Sequence, residues 1–290
     1  MKQTFRPRIP QSMLAAAVAA AALATGGAVH AATLAQIRHS GHVRIAVANE
    51  IPYGYIDMNG HARGAGPDVA AQVMKQLGVK KIDWVTASFG SLIPGLKAGR
   101  YDMVAAEMAI LPQRCQQVLF SEPNSSYGEG LLVPKGNPKK LHSYEAFAKG
   151  NGKVAIMAGA DQLEMMQALG IPDARIVTIS NNADAISTVS TGRADAYAAT
   201  GLTVVQLAGK SKKVQAAKPF TDPVIKGTPA RSWGGFAFAQ NSGDLRDAVN
   251  AQLAKFKKTP GWGKIMSRYG FTANDDKQSF AKTTAQLCKG

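Results

Sequence analysis

Twice along this 290-residue chain, short apolar strands alternate with amphipathic helices, and that alternation restricts it to α/β architectures with largely parallel sheets. The first series starts at His42: a strand (VRIAVAN), a turn at Met58-Asn59-Gly60, a helix (PDVAAQVMKQLG) closed by Gly78, and a strand (KIDWVTA). A helix over Phe89 to Leu96 and a buried strand over Tyr101 to Ala109 complete it. The second series follows the Pro134 to Pro138 loop: a helix near Ser143 to Ala148, then strand KVAIMAG, helix DQLEMMQALG, strand ARIVTIS, helix NADAISTVSTG and strand ADAYAAT. A last strand and helix, Gly234 to Gln240 and Leu245 to Lys257, can return to the first unit. No low-complexity linker intervenes. We therefore expect two touching α/β lobes joined by two crossing strands, near Gly130 to Pro134 and Gly227 to Ser232, around a cleft that closes by hinge motion. Residues 32–131 plus 233–271 form lobe 1, 132–232 lobe 2, and 272–290 a C-terminal tail.

The start of the chain points to export. Lys2, Arg6 and Arg8 stand without an acid before the alanine-rich apolar run Met13 to Leu23, and Val29-His30-Ala31 supplies small residues for a signal peptidase. Residues 1–31 read as a signal peptide cut after Ala31. The run is short of the ~20 residues of a comfortable membrane span, so the mature protein is expected free in the periplasm. Removing three basic residues lowers the formal net charge from +15 to +12. The remaining lysines are scattered in short groups and do not interleave with aromatics, which describes solvated faces rather than a nucleic-acid platform.

Cys115 and Cys288 are far apart in sequence but able to pair in an oxidising compartment, with two separate buried thiols as the alternative. None of the five histidines has ligand spacing with either cysteine, so no metal is expected. Gly64-Ala65-Gly66 lacks the third glycine of a dinucleotide fingerprint and reads as a turn into a helix starting near Pro67. No cofactor is expected.

Arg114 lies just past the end of the Tyr101 to Ala109 strand, where open α/β sheets collect ligands. A guanidinium there can hold a carboxylate through two parallel hydrogen bonds, or it can be a surface arginine. The motifs VRIAVANEIPYGYID, GAGPDVAAQVMKQLG, FGSLIPGLKAGRYDMV, PQRCQQVLFSEP, GRADAYAATG and GWGKIMSRYGF occur in this order from about Gly41 to Phe271. Together they resemble the type II periplasmic solute-binding proteins of family 3, which feed polar amino acid ABC importers. The resemblance implies two lobes closing over a ligand whose carboxylate meets Arg114, and delivery to a membrane permease by a monomer.

Where ordinary amino acid binders of that family carry a Thr before the arginine, a Ser or Thr at the start of the lobe-two helix, and an Asp on the GRxDA strand, this chain has Leu111, Ala160 or Asp161, and Thr200. A primary ammonium would lack its partner at position 200, and an unpaired buried charge costs several kcal/mol. Asp161 reads as the cap of helix Gln162 to Leu169. Glu50 with Tyr53, rather than Tyr55, and Phe89 supply a carboxylate and aromatic faces suited to a diffuse cation. These residues resemble the ectoine and hydroxyectoine binders, with Ala109 in place of their third aromatic and Trp233 as a candidate substitute or a hinge-packing residue. A polar amino acid is the alternative ligand. An exported dehydratase or lyase is the alternative of another class, although no G-x-S-x-G or HExxH motif is present and Glu50 lacks a catalytic partner.

Overall fold

A computed structural model describes residues 31–289. The signal-peptide reading falls on residues 1–30 and so lies outside the described residues, apart from Ala31.

Two sheets form the scaffold. The first runs Lys81–Thr86, His42–Val47, Met103–Ala109, Ser232–Phe238, Leu119–Phe120, and Ser125–Tyr127 also pairs with Ser232–Phe238. The second runs Ile176–Ile179, Val154–Met157, Ala196–Thr200, Glu129–Pro134, Val214–Ala216. In each, three parallel strands meet an antiparallel one that arrives from the other unit: Ser232–Phe238 in the first sheet and Glu129–Pro134 in the second. Parallel strands covered on both faces need continuous apolar runs. Val154–Met157 and Ala196–Thr200 are buried throughout, as is Met103–Ala109 although it contains Glu107. Each sheet has its own core, one around Val154, Ala196 and Phe147, the other around Val43, Met103 and Phe236.

This is the type II periplasmic binding fold, two α/β lobes with two strand crossings. The first crossing differs from the sequence reading. Ser125–Tyr127 belongs to the first sheet and Glu129–Pro134 to the second, so the chain passes between lobes at Gly128. Residues 129–131 therefore pair with lobe 2 and Ser232 with lobe 1. The apolar run Leu131 to Val133 marks burial inside a sheet, which sequence alone cannot distinguish from a bridge.

The helix expected near Pro67 begins at Ala65 and runs to Gln76. Proline is tolerated in a first turn, where its missing N–H is not needed. A Cβ on Gly66 would stand 2.6 Å from the Ala105 carbonyl oxygen, so glycine there lets this helix approach the central strand. Helix Gly201–Ala208, short helices Ala273–Gln278 and Thr284–Leu287, and helix Leu34–Ser40 with its Thr33 and Gln36 capping box escape the sequence reading. Cys115 and Cys288 form a disulfide with a Cα–Cα distance of 5.7 Å, which settles that open pairing.

Candidate functional site

The strand His42–Val47 ends in a tight loop in which Glu50 and Gly54 exchange backbone hydrogen bonds of 2.8 Å each, and this loop presents Glu50 and Tyr53 to the gap between lobes. Opposite them, Thr200 ends a buried strand of the second sheet and caps the next helix by accepting from the Thr203 amide. The two sides meet directly. The Tyr53 hydroxyl donates to Thr200 Oγ1 at 2.8 Å, and the Thr203 hydroxyl donates to Glu50 Oε1 at 2.9 Å. Tyr53 is held edge-on by Tyr127 and Phe271, with ring centroids 5.2 and 5.9 Å away.

Glu50, Tyr53, Tyr127 and Thr200 line a tight cavity of about 20 Å³, the space of about one water molecule. Glu50, Tyr53, Phe89, Ala160, Asp161 and Thr200 all line it, so six of the seven sequence-selected residues converge. Ala109 lines it too. Tyr55 is only half-buried and does not. Trp233 instead donates its indole N–H to the Gln278 carbonyl at 2.8 Å and packs against the tail.

Arg114 is the seventh, and it stands next door. It occupies the helical turn Pro112–Cys115 and borders an adjoining compartment that also includes Phe89, Gly159 and Glu164. Its guanidinium donates to the Ala109 carbonyl at 2.9 Å and, across the cleft, to the Gly159 carbonyl at 2.8 Å, with its carbon 5.6 Å from the Phe89 ring centre. Arg114 is 6% exposed, which removes the surface-arginine alternative. Two of its five N–H donors are thus used by carbonyls and three remain.

Asp161 departs from its sequence reading. Its backbone is helical (φ −71°, ψ −13°), whereas a capping residue is normally extended, and its side chain makes no cap bond. It accepts instead from the Ser232 hydroxyl at 2.8 Å, tying the second lobe to the returning crossing strand.

The cavity is electrostatically acidic. Burial raises the Glu50 pKa, Asn182 and Thr203 oppose the rise by hydrogen bonding, and the nearby Asp161 charge adds to it. Glu107 also lines the cavity, with a left-handed backbone (φ 49°) at an irregular register in the sheet. Its oxygens accept from Asn124 at 2.6 Å and Ser125 at 2.5 Å, while burial raises its pKa. Beside the first crossing, Glu129 is pushed well above the usual carboxylate range by burial and then by Asp161. One Glu129 oxygen accepts from Tyr144 and Gln162; the other has no partner. Carboxylates in such surroundings favour a cationic guest. Thr203, Ser232, Glu107, Tyr127 and Tyr197 were not singled out by sequence reasoning. Among the described residues no cluster of His, Cys, Asp and Glu is arranged to hold a metal, and no helix is long and apolar enough to cross a membrane.

The model of bacterial extracellular solute-binding proteins, family 3, matches residues 43–272. A probable amino-acid ABC transporter periplasmic-binding protein, y4tE of Sinorhizobium fredii, is 52% identical over 283 residues, 97% of this chain and 94% of the relative. The ABC transporter glutamine-binding protein GlnH of Bacillus subtilis is 27% identical, covering 73% of this chain and 74% of its own. Among solved structures, EhuB in complex with hydroxyectoine superposes with a TM-score of 0.79 at 31% identity, covering 88% of this chain and 97% of its own. The ancestral amino acid-binding protein AncCDT-1, a precursor of cyclohexadienyl dehydratase, gives 0.71 at 30% identity, covering 82% and 99%. The chain belongs to solute-binding family 3.

Proposed function

For this family 3 member we propose the role of extracytoplasmic binding subunit of an ABC importer, capturing a small zwitterion with delocalised positive charge by lobe closure. Ectoine and hydroxyectoine are the ligands we assign. The observation that carries this reading is the convergence of the Glu50 carboxylate and the Tyr53 and Phe89 rings on one small cavity, with Arg114 just beyond Phe89. Glu50 meets the cationic end, the aromatic faces contribute cation–π attraction of roughly 0.5–2 kcal/mol each, and the three uncommitted Arg114 donors take the carboxylate. The likeness to EhuB with hydroxyectoine supports the assignment, and the likeness to y4tE supports the importer role and the periplasm. The protein acts as a monomer, delivers its ligand to a membrane permease whose ATPase is another chain, and engages no nucleic acid.

Asp161 favours a second reading. Because it lines the cavity without capping its helix, it offers a carboxylate to an α-ammonium, so a polar amino acid has a partner that Thr200 alone could not supply. Calorimetric titration with ectoine, hydroxyectoine, glycine betaine, proline, glutamine, arginine and histidine separates the two. Binding of glutamine or arginine alone overturns the ectoine assignment, and turnover of any of them replaces capture with catalysis.

A further inference from the structure

The C-terminal segment contributes to neither sheet and lies almost wholly beyond the residues that match the family model, yet it is fastened to both regions on which capture depends. At one end is the hinge. Asp275, on the helix Ala273–Gln278, pairs with Arg231 beside the returning crossing. The same guanidinium donates through Nε to Ser126 Oγ at 2.8 Å, two residues before the first crossing. One tail carboxylate thereby braces both crossings. The middle is clamped by Lys257, whose ammonium donates to the Ser279 carbonyl at 3.0 Å and the Pro123 carbonyl at 2.7 Å while lying 3.9 Å from the Phe280 ring centre.

At the other end is the Arg114 turn. Thr284 donates its amide to Glu122 and its hydroxyl to the Ser121 carbonyl at 2.5 Å, bringing helix Thr284–Leu287 alongside. Cys288 then bonds covalently to Cys115, the residue after Arg114. The turn Pro112–Cys115 is four residues long and has no side-chain cap; beside the Arg114 bonds to the Ala109 and Gly159 carbonyls, the disulfide is its covalent tie to another segment. Misplacing a guanidinium by a fraction of its reach spoils bidentate recognition, and supporting contacts are what prevent this.

We propose that Thr272 to Cys288 is a positioning strap that sets ligand affinity, holding the Arg114 turn through Cys115–Cys288 and the hinge through Asp275–Arg231–Ser126. The effect on affinity rests on Arg114 reading the ligand; the effect on backbone order does not. The test compares the wild type with Cys115→Ser/Cys288→Ser and, separately, Asp275→Asn, by hydrogen exchange of the ligand-free proteins and by hydroxyectoine titration. The cysteine variant should exchange faster over residues 110–118, and Asp275→Asn over residues 125–131. Each should bind hydroxyectoine roughly 5-fold or more weakly, the lower end of coupling between linked sites. A lowered melting temperature with unchanged exchange in those segments and unchanged affinity would reduce the tail to simple stabilisation and overturn the proposal. If the cysteine variant does not fold, Asp275→Asn decides by the same criteria. If wild type binds no hydroxyectoine, the ligand reading fails on its own, and the exchange result alone decides the strap.

Discussion

Replacing Thr203 with valine removes one hydroxyl and almost no volume, and it addresses how the lobes are held around Glu50. The hydroxyl donates to Glu50 Oε1 at 2.9 Å from the opposite lobe, in a buried setting. A hydrogen bond to a charged group contributes about 1.5–3 kcal/mol net, so its loss from the closed complex should weaken hydroxyectoine binding by roughly 10- to 150-fold. A second consequence concerns pH. Burial already raises the Glu50 pKa, and Thr203 is one of two groups opposing the rise, so Thr203→Val should raise it further. A cationic guest needs the carboxylate: affinity is complete above the raised pKa and falls as pH drops through it. The acid limb of the affinity profile should therefore move to higher pH in the variant. Calorimetric titration across the acid-to-neutral range measures both effects. Affinity within twofold of wild type, with an unmoved acid limb and an intact fold, would refute the role given to this cross-lobe bond.

Three further outcomes follow from the geometry. Reducing or deleting Cys115–Cys288, which closes a sequence separation of 173, should cost about 5 kcal/mol by the chain-entropy relation, lowering the melting temperature by roughly 10–20 °C; a shift of only a degree or two contradicts this. Gly66→Ala should lose about 1–3 kcal/mol in denaturant unfolding, because its Cβ would stand 2.6 Å from the Ala105 carbonyl; unchanged stability would mean that the helix can retreat freely. Glu129 has a folded-state pKa above its unfolded one, so its contribution favours folding at acid pH and declines as pH rises through that window. Glu129→Gln should gain stability relative to wild type as pH increases, and a gap that is flat with pH would contradict the assignment.

The α/β alternation and the order of motifs made the two-lobe fold legible, since buried parallel strands leave apolar runs that survive in one dimension. Six cavity-lining residues were legible for a related reason: Thr200 ends a strand, Phe89, Ala160 and Asp161 stand at helix starts, and Glu50 and Tyr53 lie in the loop after the first strand. What was lost depends on closure. Thr203 meets Glu50 across 153 residues and Ser232 meets Asp161 across 71, and no local pattern announces either contact. Asp161 misled because an acid before a helix usually caps it, whereas here the helical backbone turns the carboxylate toward the crossing strand. Glu107 was hidden inside a strand whose apolar neighbours suggested nothing but burial. Arg114 could be identified, but not its partition between the Ala109 and Gly159 carbonyls, which sets how many donors a ligand can claim.

The central claim is that Glu50 and Arg114 hold opposite ends of one small zwitterion. Titration of hydroxyectoine into wild type, Glu50→Gln and Arg114→Ala tests it most directly. Saturable one-to-one binding by wild type, lost in both variants while their folds persist, is the expected result; wild-type affinity retained in either variant would contradict it.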